Sequence, residues 1–503
     1  MRLYSVAEVR AAEEYALHMA GIPDAKLMSD AAEHLVTAAL EFRRESGDVL
    51  VLCGTGNNGG DGIAAAALLR GVGVPVRAFL VGRRERMTSL SREMERRLVA
   101  SGGLLEDFDA DVVAAVPCGV IIDALFGIGL NAPPTGDALA AIRFINTARY
   151  DSRHRMGLET TVISADIPSG VAADSGLVAG EAVRADVTVA FIGAKVGHFS
   201  MPGRMYCGEL RVRDLGVPLE ALSGAESRVF AVTSGDVTLP RREPDTHKGD
   251  YGKLLIAAGC RDYMGAPVIA ARAATRAGAG LVFLGVPTEI LPIVAAKCDG
   301  EVVFAYDGVS DALKARLDKC DAALIGCGMG DTPETFAMVA AALRGNIPLI
   351  LDADGINALS GHIDVLDEAA CSVVLTPHEG EFTRLGGDLS AGRLAAAVKF
   401  AAEHGCVVIL KGYSTVVAFP DGSAYINTTG SPAMAKGGMG DALAGVLAAL
   451  IAQGFPLKDA CIAAVYLHGL AGDLAAERLG EYALAPGDVI AALSDSFKSV
   501  TER

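Results

Sequence analysis

Gly54-Thr55-Gly56-Asn57-Asn58-Gly59-Gly60-Asp61-Gly62 follows the apolar run 49–53 and opens a helical pattern over 61–70. A strand, a glycine-dense turn and a helix, in that order, form the context in which such glycines carry meaning. Glycine lets the backbone turn tightly and approach a diphosphate, while the helix start supplies free N–H groups and a partial positive charge. Five glycines and two asparagines in nine residues are far more than an ordinary strand-to-helix turn needs. The turn also departs from the usual dinucleotide fingerprint. No acidic residue ends the next strand to hold a ribose, where Gly82-Arg83-Arg84 stands instead. Amide carbonyls and a carboxylate are hard oxygen donors, so a cation fits beside the phosphates.

Outward from that turn the chain alternates. Strands are expected at 49–53, 74–81, 119–123, 161–166 and 187–191, and helices at 5–17, 29–43, 61–70, 89–100 and 137–149. Such alternation implies a parallel sheet with right-handed crossovers. It stops over 215–247, a stretch rich in glycine, proline and charge, which sets a boundary near residue 222 and two domains, 1–222 and 223–503. A second series then gives strands at 253–258, 281–286, 322–327, 348–352, 372–376, 407–411 and 415–419. Its helices fall near 265–278, 333–344, 392–404, 439–453 and 457–479. The expected fold class is α/β throughout: a Rossmann-like three-layer domain followed by a second α/β domain.

Composition narrows the function classes. The chain of 503 residues has a formal charge of −17, which repels a nucleic-acid backbone. It carries no run of about 18 apolar residues, so no membrane span is expected. Acidic residues Glu8, Glu13 and Glu14 in the first helical pattern are unlike a signal peptide. The ten cysteines are scattered without a C-x-x-C pair, which suits reduced thiols in a cytoplasmic protein. The alanine-rich helices lead to the expectation of a homo-oligomer.

Two aspartates end neighbouring strands of the first half, Asp123 and Asp166. Ligands of open α/β sheets bind outside the carboxyl ends of the strands, so both converge with the glycine turn. The segments GTGNNGGDG (54–62), IDALFGIGLNAPPTG (122–136) and ADIPSG (165–170) resemble the N-terminal domain of the NAD(P)HX epimerase family. Lys195 and the run 208–216 are similar too, and the likeness covers about residues 1–220. The resemblance implies interconversion of the two C6 epimers of hydrated NADH and NADPH. It implies that Asn57, Asn58, Gly59, Gly60 and Asp61, with Gly127, Ile128, Gly129, Leu130, Asn131, Ala132 and Pro133, line the substrate. It implies Asp166 as the acid/base residue, and a potassium ion held by Asn58, Asp123 and Ser169. A partly desolvated carboxylate suits the proton step.

In the second half, Ala435-Lys436-Gly437-Gly438-Met439-Gly440-Asp441 precedes a long apolar helix. Glycine N–H groups at a helix start form an anion hole for a transferred phosphoryl group, and Asp441 is placed to take a proton from an attacking hydroxyl. Lys411-Gly412-Tyr413-Ser414-Thr415, Thr376-Pro377-His378 and Gly326–Gly330 fall at the same edge, and Asp352 or Asp354 suits a magnesium ion. This set resembles the ribokinase-like fold and, more narrowly, the ADP- or ATP-dependent NAD(P)HX dehydratase family. The matching stretches are HKGDYGKLLIAAG (247–259), YMGAPVIAARAATRAGAGLV (263–282), LDADGINAL (351–359), LTPHEGEF (375–382), LKGYST (410–415) and GGMGDALAG (437–445). The resemblance implies substrate contacts at Ala266, Gly330, His378 and Asp441, and nucleotide contacts at Lys411, Gly412, Tyr413, Ser414, Thr415 and Gly440. It implies that ADP (or ATP) with Mg2+ phosphorylates the C6 hydroxyl and that phosphate then leaves. Met439 replaces the family's usual threonine, and Cys327 and Met329 depart from its glycine-loop pattern. The alternative is a ribokinase-like small-molecule kinase fused to a non-catalytic nucleotide-binding module. The glycine–aspartate site would serve it equally well, but Asp123, Asp166 and the complete first glycine turn argue against a mere scaffold.

Overall fold

The structure, a computed structural model, describes residues 1–43, 48–130, 132–151, 160–223, 227–309 and 311–501. The chain divides into two compact units, Arg2–Ser227 and Arg228–Arg503, with Met1 joining the latter. The division lies a few residues beyond position 222, within the polar stretch.

The first unit is built on β1 (Asp48–Cys53), β2 (Val76–Leu80), β3 (Leu105–Asp107), β4 (Cys118–Ala124), β5 (Thr161–Ala165), β6 (Val187–Phe191) and β7 (Glu209–Arg213). They form one sheet in the order β3-β2-β1-β4-β5-β6-β7. Each neighbouring pair is parallel. Because strand side chains alternate faces, Val49, Val51 and Cys53 enter one core while Leu50 and Leu52 enter the other. Both faces are thus covered, as a parallel sheet requires. Ser5 starts the Val6–His18 helix through a reciprocal pair with Glu8, which satisfies two otherwise orphaned N–H donors.

The second unit contains β8 (Val229–Ala231), β9 (Lys253–Ala257), β10 (Leu281–Pro287), β11 (Val302–Tyr306), β12 (Ala322–Ile325), β13 (Leu349–Leu351), β14 (Val373–Leu375), β15 (Val407–Leu410), β16 (Val416–Ala418) and β17 (Ala424–Ile426). The sheet order is β11-β10-β9-β12-β13-β14-β15-β16-β17-β8. It is parallel as far as β15; β16 and β17 then fold back antiparallel. Leu254 and Ile256 face one core, Leu255 and Ala257 the other. The Met439–Ala452 helix is buried almost throughout. It packs on the Gly265–Arg276 helix, where a Cβ at Gly445 would stand 2.2 Å from the Ala270 carbonyl oxygen. Glycine is needed for that approach.

Two helix starts are corrected. The helix expected at 29–43 spans Asp24–Phe42. The first glycine-rich helix begins at Asn57, not Asp61, and runs to Gly71. Asn57–Gly60 are therefore its first turn, because glycines are tolerated where the backbone must pass close to other chain. A Cβ at Gly59 would sit 1.8 Å from the Gly54 carbonyl oxygen. Strands β3, β7, β8, β11 and β17 and the Pro486–Thr501 helix add to the expected elements.

Candidate functional site

In the first sheet the strand order reverses beside β1, between its partners β2 and β4. A crevice opens at such a switch point, at the carboxyl ends of the strands. The Asn57–Gly71 helix starts there with no side-chain cap, so its first N–H groups are left for a ligand. At the end of β4, Asp123 is fully buried. It accepts from the Ser169 Oγ at 2.6 Å, the Ser169 N–H at 3.0 Å, the Ser164 Oγ at 2.8 Å and the Leu125 N–H at 3.3 Å. Burial raises its carboxyl above the ordinary range, and the Ser169 bonds oppose that.

Asp166 has a φ of 66°, a conformation that a non-glycine residue adopts only when its surroundings impose it. They do so here. Its N–H donates to the Val189 carbonyl at 2.8 Å, and its own carbonyl meets the His198 Nε2 at 2.9 Å. The His198 Nδ1 accepts the Lys195 N–H at 3.0 Å, so the ring proton lies on Nε2. Burial, then the Lys195 charge, pushes His198 down to about 4, so the ring is neutral. The Lys195 Nζ, wholly buried, is ion-paired with the Asp166 carboxylate and donates to the Phe191 carbonyl at 2.9 Å. Lys195 and His198 were not singled out as site residues from the sequence; the strand-end position of Lys195, after Phe191, was the available signal.

Gly127 ties these pieces together. A Cβ there would lie 3.2 Å from the Asn58 Oδ1 and 3.3 Å from the Asp166 Oδ2. Asn58, Gly127 and Asp166 thus share one wall. The Asn58 Nδ2 is buried without a partner. Asp61 is lifted well above the carboxylate range by burial first, then by Asp166 and Glu13. Glu13 is exposed. Desolvation, then the Asp166 charge, raises it to about 7. Ile128 packs against the small apolar cluster of Ile167, Val171, Ala173 and Ala182, Gly129 faces Arg10, and Ala132 and Pro133 are exposed. Leu130 is half-buried, and Asn131 lies outside the described residues.

The second sheet reverses beside β9, between β10 and β12. Just past β13, Asp352 is buried, with Oδ1 accepting from the Lys411 Nζ and the Thr376 Oγ1, both at 2.7 Å. Burial alone would raise its carboxyl, but the Lys411 ammonium more than reverses this and holds it below the ordinary range. The ammonium also lies 3.7 Å from the Glu381 Oε2. The His378 Nδ1 accepts the Gly380 and Glu381 N–H groups and starts the Glu379–Arg384 helix. Its Nε2 is 3.4 Å from the Glu381 Oε1. His378, Glu381, Lys411 and Asp352 therefore form one polar line.

The Met439–Ala452 helix begins with Gly438 at φ 90° and no side-chain cap. Met439 is buried in the core, so its side chain leaves the helix start clear. A Cβ at Gly440 would lie 3.4 Å from the Lys411 Nζ and 3.8 Å from the Asp352 Oδ2, so the anion hole faces that pair. Burial, then the neighbouring Asp352, raises Asp441 to about 6. Gly330 donates to the Asp354 Oδ2 at 2.7 Å, and Gly328 abuts Ala266. Thr415 closes the Gly412 loop through its Oγ1, Ser414 is buried, and Tyr413 is exposed. A groove lined by Gly252, Asp321, Pro348 and Ser372 lies at the amino ends of the strands and contains none of these groups.

One parallel and one mainly parallel sheet, each with an uncapped glycine-started helix and raised carboxylates at its carboxyl edge, define a two-centre α/β enzyme of nucleotide chemistry. Residues 254–494 match the NAD(P)H-hydrate dehydratase family model, and residues 24–197 the model described as YjeF-related protein N-terminus. The bifunctional NAD(P)H-hydrate repair enzyme Nnr of Thermofilum pendens is 36% identical, over 100% of this chain and 99% of its own length. That of Coxiella burnetii is 33% identical, over 97% of each chain. A ribokinase-like superfamily protein of Enterococcus faecalis has a TM-score of 0.50 at 27% identity, covering 55% of this chain and 98% of its own. The chain belongs to the family of bifunctional NAD(P)H-hydrate repair enzymes. Among the described residues, no helix is long and apolar enough to cross a membrane.

Proposed function

We propose that the chain returns both C6 hydrates of NADH and NADPH to the intact cofactors. Residues 1–222 act as the epimerase, and residues 223–503 as the dehydratase acting on the S-hydrate at the expense of ADP (giving AMP and phosphate) or of ATP. The observation that carries the reading is that Asp166 and Asp441 each stand beside an uncapped, glycine-started helix at the carboxyl edge of their own sheet.

Inverting C6 requires the C6–O bond to break and reform on the other face. A proton moves onto the hydroxyl oxygen, water leaves, and the ring nitrogen lone pair supports the resulting cation. Water then adds to the opposite face and returns the proton. Asp166, fixed by Lys195 and His198, carries that proton, and the surrounding carboxylates favour the cation. The uncapped N–H groups of Asn57, Asn58 and Gly59 hold the diphosphate. A potassium ion fits beside them as a further anchor. The Asn58 Nδ2 is buried without a partner, and turning the amide would present its oxygen; Ser169 adds its Oγ, and Asp123, already saturated by hydrogen bonds, supplies counter-charge.

In the second centre, Asp441 takes the proton of the C6 hydroxyl as its oxygen attacks the terminal phosphoryl group. The N–H groups around Gly440 receive the developing charge. Phosphate then leaves C6, and loss of the C5 proton restores the ring double bond. The Asp352 Oδ2 and Asp441 suit a magnesium ion bound with the nucleotide, which would neutralise phosphate charge. Ala266, Gly330 and His378 flank the substrate, and Lys411–Thr415 the nucleotide. The strongly acidic chain is read as a cytoplasmic homo-oligomer that binds no nucleic acid.

The test is recovery of NADH absorbance from mixed R and S hydrates with ADP or ATP and Mg2+. Wild type recovers everything, Asp166→Asn stalls after the S fraction, and Asp441→Asn recovers nothing. If no nucleotide drives recovery in wild type, the repair reading fails and a small-molecule kinase takes its place.

A further inference from the structure

We propose that Cys327, Asp352 and Asp441 form a binding site for a soft divalent cation, zinc or cadmium, which shuts the dehydratase centre when occupied. One donor atom from each residue lies within 4.8 Å of the others, and the cysteine and Asp352 are buried. The thiol is set by its turn: Gly326 (φ 127°) and Gly328 (φ 64°) flank Cys327 in conformations that other residues rarely adopt. They hold the Sγ 3.7 Å from the Asp352 Oδ2. A tetrahedral ion with sulfur at about 2.3 Å and oxygen at about 2.0 Å needs those two atoms about 3.5 Å apart.

The carboxylate is already oriented as a ligand. The Lys411 Nζ and Thr376 Oγ1 take the Asp352 Oδ1, which leaves Oδ2 for the ion. Metal-binding carboxylates are commonly held in this way by outer partners. Charge balances too: a thiolate and two carboxylates are offset by a divalent ion and the Lys411 ammonium. Cys327 belongs to the apolar core, yet its thiol also meets the carboxylates of Asp352 and Asp441. Magnesium prefers six oxygen ligands and gains nothing from the sulfur, so the thiol selects for softer ions. On binding, the ion replaces the thiol proton, which passes to solvent, and no electron moves. The ion then occupies the oxygen of Asp441 that would take the hydroxyl proton. The inhibitory part of the proposal rests on that reading of Asp441; the binding part does not.

The nucleotide-free full chain is titrated with Cd2+ and its ultraviolet thiolate-to-cadmium band recorded, with Zn2+ affinity read by competition against a chromophoric chelator. Wild type shows a band that Cys327→Ala removes and Cys371→Ala keeps, measured as a difference because nine other thiols are free. Asp441→Asn and Thr376→Val each weaken Zn2+ binding by about tenfold or more. Cys327→Ser, close in size to the native residue, loses Cd2+ binding while keeping its fold by circular dichroism. Identical bands and isotherms in wild type and Cys327→Ala overturn the site. If wild type binds Cd2+ through Cys327 yet dehydrates no hydrate, the functional reading fails and the metal site stands. If wild type is active and Zn2+ inhibits Cys327→Ala equally, the inhibitory role is overturned.

Discussion

The Lys195 ammonium, with none of its side chain exposed, is ion-paired with the Asp166 carboxylate, whose side chain is 11% exposed. Removing one partner of a buried pair leaves the other charge desolvated and uncompensated, which costs about 3–5 kcal/mol. Lys195→Met is therefore expected to lower stability by that order in denaturant titration. It is also expected to lower epimerisation of the R-hydrate by about a hundredfold, the usual effect of misplacing an acid/base group. The double variant Lys195→Met, Asp166→Leu should regain much of the stability and none of the activity. If it regains activity, Asp166 is not the proton carrier.

Asp441 makes a prediction about pH with two signs. Burial and Asp352 raise it to about 6, so the folded chain binds this proton more tightly than the unfolded chain does. Between about pH 4 and 6 the folded state therefore loses stability as pH rises, and above 6 the penalty is complete. Asp441→Asn should be more stable than wild type at pH 8, by no more than about 2 kcal/mol after screening, and the difference should close toward pH 4. Activity runs the other way. A base must be ionised, so kcat/KM for the S-hydrate should rise about tenfold per pH unit below 6 and level above it. Melting curves and rates at matched pH values test both; a pH-independent rate over 5–7 removes Asp441 as the base.

Most of the frame was legible because parallel strands buried on both faces write themselves as short apolar runs. β1, β6 and β9 lie within a residue of the expected spans. The strands at or next to the sheet edges were harder. β7 reads Glu-Leu-Arg-Val-Arg, and β3, β8 and β17 span three residues each, so neither length nor hydrophobicity marks them. The start of the Asn57–Gly71 helix was misread because glycine propensity argues against helix. Close approach to Gly54 overrides it there. In the sites, residues at strand ends could be assembled from order alone. The Lys195–Asp166 and Lys411–Asp352 pairs could not, since they join side chains 29 and 59 residues apart. The sequence reading gave Lys411 to the nucleotide; the structure shows its ammonium bonded to Asp352, with Gly440 beside it.

Desolvation, then the Asp166 charge, raises Glu13 to about 7. It is thus protonated below 7 and able to resupply Asp166 with the proton that passes to the departing C6 hydroxyl. Epimerisation should fall as pH climbs above about 7, and Glu13→Gln should flatten that limb while lowering the plateau. The readout is interconversion of R and S hydrates between pH 6 and 9. An unchanged limb in the variant assigns it to another group.

Met439 stands at the start of the helix that carries Asp441. Its side chain is 6% exposed and belongs to the core, while no side chain caps the helix. The charge-stabilising groups at this start are backbone N–H groups, which a side-chain change leaves in place. Met439→Thr should therefore leave phosphoryl transfer nearly unchanged, within about threefold. Its cost should fall on stability, since the substitution removes buried methylene and sulfur and introduces a hydroxyl, at about 1–3 kcal/mol. Gly440→Ala is the counterpart. Its added carbon would lie 3.4 Å from the Lys411 Nζ and 3.8 Å from the Asp352 Oδ2, so it intrudes where the phosphoryl group must sit. That variant should keep its melting temperature within a few degrees and lose turnover by about a hundredfold. Steady-state rates and melting temperatures of the two variants separate the cases: if Met439→Thr changes turnover as strongly as Gly440→Ala, the side chain at position 439 reaches the reacting groups and the backbone account of this helix start is wrong.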